Sequence, residues 1–261
     1  LLDYHPEEKY NAIIIIGSIN FGSIDKIFAE LSHTVDLCNP GAVMFFRVNP
    51  GNPHDIDRAH WINFYPWDTN FIINCADQLD VDLLDIHSAD WHILLHKKKV
   101  PYEWQINRFK AFFRKLIAIE QNCEVHIISG DIFDKKPEAD EVCLFLSYIN
   151  SVKIPTYIIP GNHEATKKGE SFLEHFAQEN AIKNENVHII TKNKYVQEGS
   201  ARFQFFPYGE MQLDNLPTKK HEKDILVTHI RGEVPPHITP EYNFEKLRPW
   251  KLILLGDLHF P

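Results

Sequence analysis

The stretch Cys123-Glu124-Val125-His126-Ile127-Ile128-Ser129-Gly130-Asp131-Ile132-Phe133-Asp134 decides how this chain is read. Its first seven residues are a short, mostly apolar run of the kind that makes a buried parallel strand. Gly130 lets the backbone turn sharply at the end of that run. Asp131 then sets a carboxylate at the C-terminal end of the strand, where open α/β sheets place their sites. A carboxylate has two oxygens and can hold one cation on each, so Asp131 is read as a bridge between two metal ions. Gly-Asp after a strand also fits a turn or a helix-capping aspartate. The strand ends around it favour the metal.

Four other runs end in the same manner. Val81 to Ile86 is strand-like and leads into His87-Ser88-Ala89-Asp90-Trp91-His92. Pro155 to Pro160 leads into Gly161-Asn162-His163-Glu164, Ile225 to Thr228 into His229, and Lys251 to Leu255 into Gly256-Asp257-Leu258-His259. A histidine after a strand is usually a satisfied core or surface residue. Five strands ending in Asp90 with His92, Asp131, Asn162 with His163, His229, and Asp257 with His259 are hard to obtain by chance. Parallel strands would bring those ends together on one rim of a sheet. Carboxylate, imidazole and amide oxygen suit Mn²⁺, Fe²⁺ or Zn²⁺ rather than thiolate-preferring metals. Two such ions side by side clamp a phosphodiester and lower the pKa of a bridging water. The remaining histidines, His126 inside its strand among them, are read as structural.

Composition bounds the rest. The chain has 261 residues, 44% of them hydrophobic, enough for a real core. A net charge of −9 argues against coating nucleic acid by charge alone. It leaves open an enzyme whose bound cations reverse the local field. No apolar run approaches the roughly 20 residues that span a bilayer, and no secretory signal is visible. Four dispersed cysteines without a Cys-x-x-Cys pair point to a reducing, cytoplasmic compartment. The chain lacks an initial Met and stops directly after a strand-like run, so both ends are expected to be cuts in something longer.

Two units are expected, residues 1–80 and 81–261, although no Gly/Ser/Pro linker separates them. In the first, Tyr10 to Ile16 reads as a strand. Ile24 to Leu37 reads as a helix capped by Ser23, with Ile24, Ile27, Phe28, Leu31 and Val35 on one face. Asn39-Pro40-Gly41 reads as a turn, Ala42 to Val48 as a strand, and Asn70 to Leu79 as a helix with Asp68 as its cap. In the second, helices are expected at Trp104 to Gln121, Glu138 to Ser151 and Ser171 to Asn180, with further strands at Val187 to Thr191 and Phe203 to Pro207. Both units need Val81 to Ile86 as a strand, and the second is expected to take it.

The runs Ile13 to Gly22 and Asn39 to Arg47 resemble the C-terminal half of a Rossmann-type methyltransferase that uses S-adenosylmethionine. The glycine-rich cofactor loop of that fold is missing, so this segment is not expected to bind the cofactor. Residues 81–261 resemble the calcineurin-like metallophosphoesterase superfamily. Its pattern D-x-H, G-D-x-x-D, G-N-H-[DE], a lone His and G-H-x-H is met at Asp90, Gly130, Gly161 and His229 and, with Asp257 in place of the first His of its last element, at Gly256. Within it, His87 to His92, Gly130 to Asp134 with Pro137 close behind, and Gly161 to Glu164 look most like the SbcD-type DNA nuclease subunits.

That resemblance implies a four-layer α/β/β/α sandwich, truncated here at its C-terminus. It also implies two divalent ions, Mn²⁺ foremost, with Fe²⁺ or Zn²⁺ as alternatives. The first would take Asp90, His92, Asp131 and His259; the second Asp131, Asn162, His229 and Asp257. His163 would protonate the leaving oxygen or stabilise charge, with Glu164 orienting it. The family usually has His where this chain has Asp257, which favours a harder ion. The implied activity is exonuclease and endonuclease action on DNA in repair or recombination. The implied partners are a coiled-coil ATPase of SbcC type and a second copy in a homodimer, with no membrane. Lys97 to Lys99 fits a DNA contact or a solvated loop. The alternatives are a phosphatase or nucleotide phosphodiesterase of the same superfamily, or a non-catalytic truncated interaction module.

Overall fold

The computed structural model describes residues 2–16, 23–47, 69–83, 85–178, 181–199, 201–216, 218–221, 224–231 and 240–257. The chain divides into two compact units, Leu1–Asp82 and Leu83–Pro261.

In the first unit, β1 (Tyr10–Ile16), α1 (Ile24–Asp36), β2 (Cys38–Arg47) and α2 (Thr69–Leu79) follow in order, and β1 pairs with β2 in parallel. Ser23 caps α1 by accepting from Lys26 N. The core is Ile27, Leu31, Phe71 and Cys75. Two expectations change. Ile24 sits in the first turn and is exposed, and the buried stripe is Ile27, Glu30, Leu31 and Thr34, with the Thr34 hydroxyl donating to Glu30 O. Asn39-Pro40-Gly41 lies inside β2 rather than forming a turn; the register shifts opposite Tyr10 and Ala12, and Gly41 takes φ +76° there. The stretch 17–22 and the proposed cap Asp68 lie outside the described residues.

The second unit runs β3 (Asp85–Ser88), α3 (Tyr102–Glu120), β4 (Val125–Ser129), α4 (Ala139–Ile149), β5 (Thr156–Ile159), the hairpin β6 (Ala165–Lys167) and β7 (Glu170–Ser171), α5 (Leu173–Gln178), and β8 (Val187–Ile189). It continues through β9 (Lys194–Glu198), β10 (Ala201–Phe206), α6 (Tyr208–Gln212), β11 (Ile225–His229), a 3₁₀ turn at Phe244–Leu247, and β12 (Leu252–Gly256). One four-stranded sheet has the order β3-β4-β5-β8 and is parallel throughout. The other has the order β12-β11-β10-β9, with β9 antiparallel.

Phe109, Phe113 and Leu116 of α3 and Leu144, Phe145 and Tyr148 of α4 cover the outer face of the first sheet. Met211, Leu247 and Trp250 pack against Phe206 and Leu226 of the second. The two sheets meet face to face, with the Tyr157 and Phe205 rings 5.5 Å apart. The result is an α/β/β/α sandwich. Among the described residues, no helix is long and apolar enough to cross a membrane.

Three corrections bear on the site. The strand expected at Val81 to Ile86 starts at Asp85 and runs to Ser88. The hairpin β6–β7 and the strand β9 carried no apolar signal and were not expected. The five strand ends do not share one rim of one sheet: β3, β4 and β5 belong to the first, β11 and β12 to the second. A centre built from all five sits where the C-terminal edges of two facing sheets converge.

Candidate metal centre

The residues that turn at the strand ends are unusual in their backbone. Asp90, His92, Asp131 and Asp257 all take positive φ, at 56°, 44°, 52° and 62°. Non-glycine residues occupy that region at a cost of about 1 kcal/mol each. Here the turn aims each side chain into the gap between the sheets. Gly130, at φ +83°, could carry no side chain: a Cβ there would lie 2.6 Å from His229 Nδ1 and 2.7 Å from the Gly161 backbone. The loop after β3 is stitched to the loop after β4 by Asp90 N to Gly130 O at 3.0 Å, His92 N to Asp131 O at 3.0 Å and Ile93 N to Ile132 O at 2.8 Å.

Asp131 is the centre. Its side chain is 1% exposed. Oδ1 accepts from His163 N at 3.0 Å. Oδ2 is buried and accepts no hydrogen bond from the described residues. Three imidazole nitrogens converge on it instead, the Nε2 atoms of His229 at 3.4 Å, His163 at 3.8 Å and His92 at 4.0 Å. An orphaned buried carboxylate oxygen is costly, and a cation would satisfy it. Burial pushes the Asp131 carboxyl up, and His229 with the His163 backbone N–H more than offsets this, holding it below the ordinary aspartate value.

His229 shows the preparation most clearly. Nδ1 donates to Ser129 O at 2.6 Å, which leaves Nε2 facing Asn162 Oδ1 at 2.9 Å and Asp131. Burial pulls this imidazole down, but the adjacent Asp131 carboxylate reverses the effect and lifts it to about 9. That anionic surrounding suits a cation.

Among the described residues three groups of side chains bring ligand atoms within 4.8 Å of one another; His96, Glu138 and Asp140 form one apart from this centre, and the two here are His92, Asp131 and His163, and Asp90, Asp131, His229 and Asp257. Asp131 belongs to both, as a bridge requires. Asp90 falls with His229 and Asp257 rather than with His92, and Asp257 N donates to Asp90 Oδ1 at 3.1 Å. Asn162 joins through His229. His259 lies outside the described residues. The donor set of carboxylates, imidazoles and an amide oxygen fits two hard or borderline divalent ions.

The Glu164 carboxylate, expected to orient His163, makes its hydrogen bonds elsewhere among the described residues. Fully buried, it accepts three backbone N–H groups, from Asp131 at 2.9 Å, Gly161 at 2.8 Å and Phe133 at 3.0 Å. The chain turns inward after Gly161, beneath the Gly130–Asp131 loop, where those donors have no other acceptor. Burial, then the nearby Asp131 charge, pushes the Glu164 carboxyl up to about 7, against the pull of the N–H groups. The orienting contact on His163 comes from Asp134, whose carbonyl accepts from Nδ1. The Asp134 carboxylate also lies 3.6 Å from His92 Nδ1.

Sequence reasoning missed Asp134 in this role, although it stands in the quoted motif. It also missed Arg231, whose Nε donates to Asp257 Oδ2 at 3.1 Å, and Tyr208, whose ring lies edge-on to His229 at 6.3 Å. The available signal for Arg231 was an extra aspartate at 257 that would need a cation. His126 proved structural yet not passive. It is fully buried, with Nδ1 donating to Glu120 at 2.7 Å and Nε2 2.8 Å from the Ser88 hydroxyl, and the Tyr148 hydroxyl donates to the same Glu120.

Residues 85–261 match the profile of the calcineurin-like phosphoesterase family. The chain is also 35% identical over 178 residues to a protein of Escherichia phage T5 named "Probable exonuclease subunit 1". The match covers 67% of this chain and 53% of that relative, so the chain spans about half the relative's length.

Proposed function

The chain belongs to the calcineurin-like phosphoesterase family, and we propose that it is a DNA nuclease of SbcD type that depends on two divalent ions, Mn²⁺ foremost. The observation that carries the phosphodiester chemistry is Asp131 Oδ2, buried without a hydrogen bond and faced by three imidazoles. The phage relative, named as an exonuclease subunit, supports a nuclease. Its designation as a subunit supports a partner, which we take to be a coiled-coil ATPase of SbcC type acting on a homodimer of this subunit. For the first unit we propose a partial Rossmann-like segment, supported by the parallel pairing of β1 and β2.

By the pattern of the family Asp90, His92 and Asp131, with His259, would hold one ion and Asp131, Asn162, His229 and Asp257 the other, although the Asp90 carboxylate itself groups with Asp131, His229 and Asp257. Bound there, the two ions would lower the pKa of water and offset the charge of the phosphate. The chain's own groups do the rest. Asp134 O accepts a hydrogen bond from His163 Nδ1 and so fixes which ring nitrogen faces the cleft. From Nε2, His163 would give a proton to the leaving oxygen. Glu164 holds the backbone that carries Asp131.

The test is Mn²⁺-dependent nucleotide release from an end-labelled linear duplex, for the wild type and His163→Ala. The expected loss in the variant is roughly 100-fold or more, with its Mn²⁺ stoichiometry unchanged by calorimetry. If both proteins bind two ions and neither releases nucleotide from the duplex, while the wild type hydrolyses small phosphodiesters, the substrate is a small phosphodiester such as a nucleotide. If neither binds metal, the chain is an interaction module.

A further inference from the structure

Arg231 lies two residues beyond His229, just past the end of β11. Its Nε donates to Asp257 Oδ2 at 3.1 Å, and its Nη1 lies 3.8 Å from Glu241 Oε1. The Asp257 side chain is 4% exposed, whereas that of Arg231 is 36% exposed. A guanidinium offers five N–H donors in a planar fork. One is used on Asp257, and among the described residues the terminal nitrogens make no hydrogen bond. The fork is therefore anchored at its inner edge and open at its outer one. Its anchor, Asp257, belongs to the ligand cluster with Asp90, Asp131 and His229.

That cluster holds three carboxylates, one more than it would with an imidazole at position 257. The extra charge opposes the approach of an anionic phosphodiester. An arginine fixed on the same carboxylate restores the balance, and it does so with a fork whose geometry matches two phosphate oxygens. An arginine needed only to neutralise Asp257 would need no open donors; among the described residues this one has several beside the cluster, and its side chain is 36% exposed.

We propose that Arg231 is a further catalytic residue, which binds the non-bridging oxygens of the substrate phosphate while Asp257 and Glu241 hold its guanidinium in place. The assignment rests on the phosphoesterase reading of the centre and does not depend on the substrate being DNA. It also makes the aspartate at 257 and the arginine at 231 a single device.

The experiment compares the wild type, Arg231→Lys and Arg231→Ala by two calorimetric titrations, first with Mn²⁺ and then with inorganic phosphate on the Mn²⁺-loaded protein. The expected result is unchanged Mn²⁺ stoichiometry in all three. Phosphate affinity should fall roughly 10- to 100-fold in Arg231→Ala and recover in part in Arg231→Lys, which keeps the charge and loses the fork. Hydrolysis of bis(p-nitrophenyl) phosphate should show the same order in KM. Equal phosphate affinity in the wild type and Arg231→Ala overturns the proposal. So does loss of Mn²⁺ from Arg231→Ala, because the arginine would then serve only to position Asp257. A wild type that binds Mn²⁺ and phosphate, with the expected loss in Arg231→Ala, but leaves DNA intact removes the nuclease reading and supports the role of Arg231.

Discussion

A carboxylate can only accept hydrogen bonds, and Glu164 uses that property on three backbone N–H groups at once. Two of those donors, Asp131 and Phe133, lie in the turn after β4, and the third is Gly161, so one side chain joins the ends of β4 and β5. Replacing it with glutamine sets an amide NH₂ against N–H groups and leaves at least one of them without an acceptor. A buried unsatisfied donor costs about 1–3 kcal/mol. Glu164→Gln is therefore expected to lower the urea midpoint by a corresponding amount and to weaken Mn²⁺ binding, since Asp131 loses its support. Unchanged values in both measurements would show that the carboxylate is not needed there. His163 should behave differently, because its variant touches the cleft and not the scaffold.

At the scale of elements, the site depends on how closely strand ends can approach. The end of β4 meets the end of β5 and, from the facing sheet, His229 at the end of β11. Gly130 is the contact point, and a methyl group there would collide with His229 Nδ1 and the Gly161 backbone while also facing an unfavourable φ. Gly130→Ala is expected to cost roughly 3 kcal/mol or more, the sum of overpacking and backbone strain. Chemical denaturation reads this directly. A loss below 1 kcal/mol would mean that the sheets can separate freely at this rim. The helices contribute through the Glu120–His126–Ser88 chain, which ties the end of α3 through β4 to β3 in an otherwise apolar layer.

At the scale of the molecule, ionisable groups in and beside the first sheet give the fold opposing responses to pH. Burial, and then the charge of His126, pulls the His87 imidazole down to about 4 from 6.5. Between those values the unfolded chain takes up a proton that the folded chain refuses, so the His87 contribution to stability falls as the pH drops through that window. The full effect is on the order of 3 kcal/mol. Asp85 and Glu164, both pushed up to about 7, act in the opposite sense. Their contribution is complete below their unfolded values near 4 and is lost as the pH rises towards 7. The two trends overlap, so the wild-type profile should be shallow. The His87 contribution appears as the difference between urea stabilities of the wild type and His87→Phe from pH 7 to pH 4. A constant difference across that range would contradict a neutral imidazole at His87.

The sequence by itself determined the strand-end segments and the ligand types they carry. Gly-Asp, Gly-Asn-His and a lone His each follow an apolar run, and a buried parallel strand must be such a run and must stop where a polar group begins. Local order sufficed there because the signal lies within about ten neighbouring residues. It failed where the answer depends on residues far apart in the chain. Only packing sets β3, β4 and β5 in one sheet and β11 and β12 in another. Only the fold directs Glu164 beneath the Asp131 loop and gives His163 the carbonyl of Asp134. The contact of Arg231 with Asp257 spans 26 positions and forms because β11 and β12 are parallel neighbours. In each case side-chain direction follows from a backbone turn and a facing surface, and neither is written in the order of residue types.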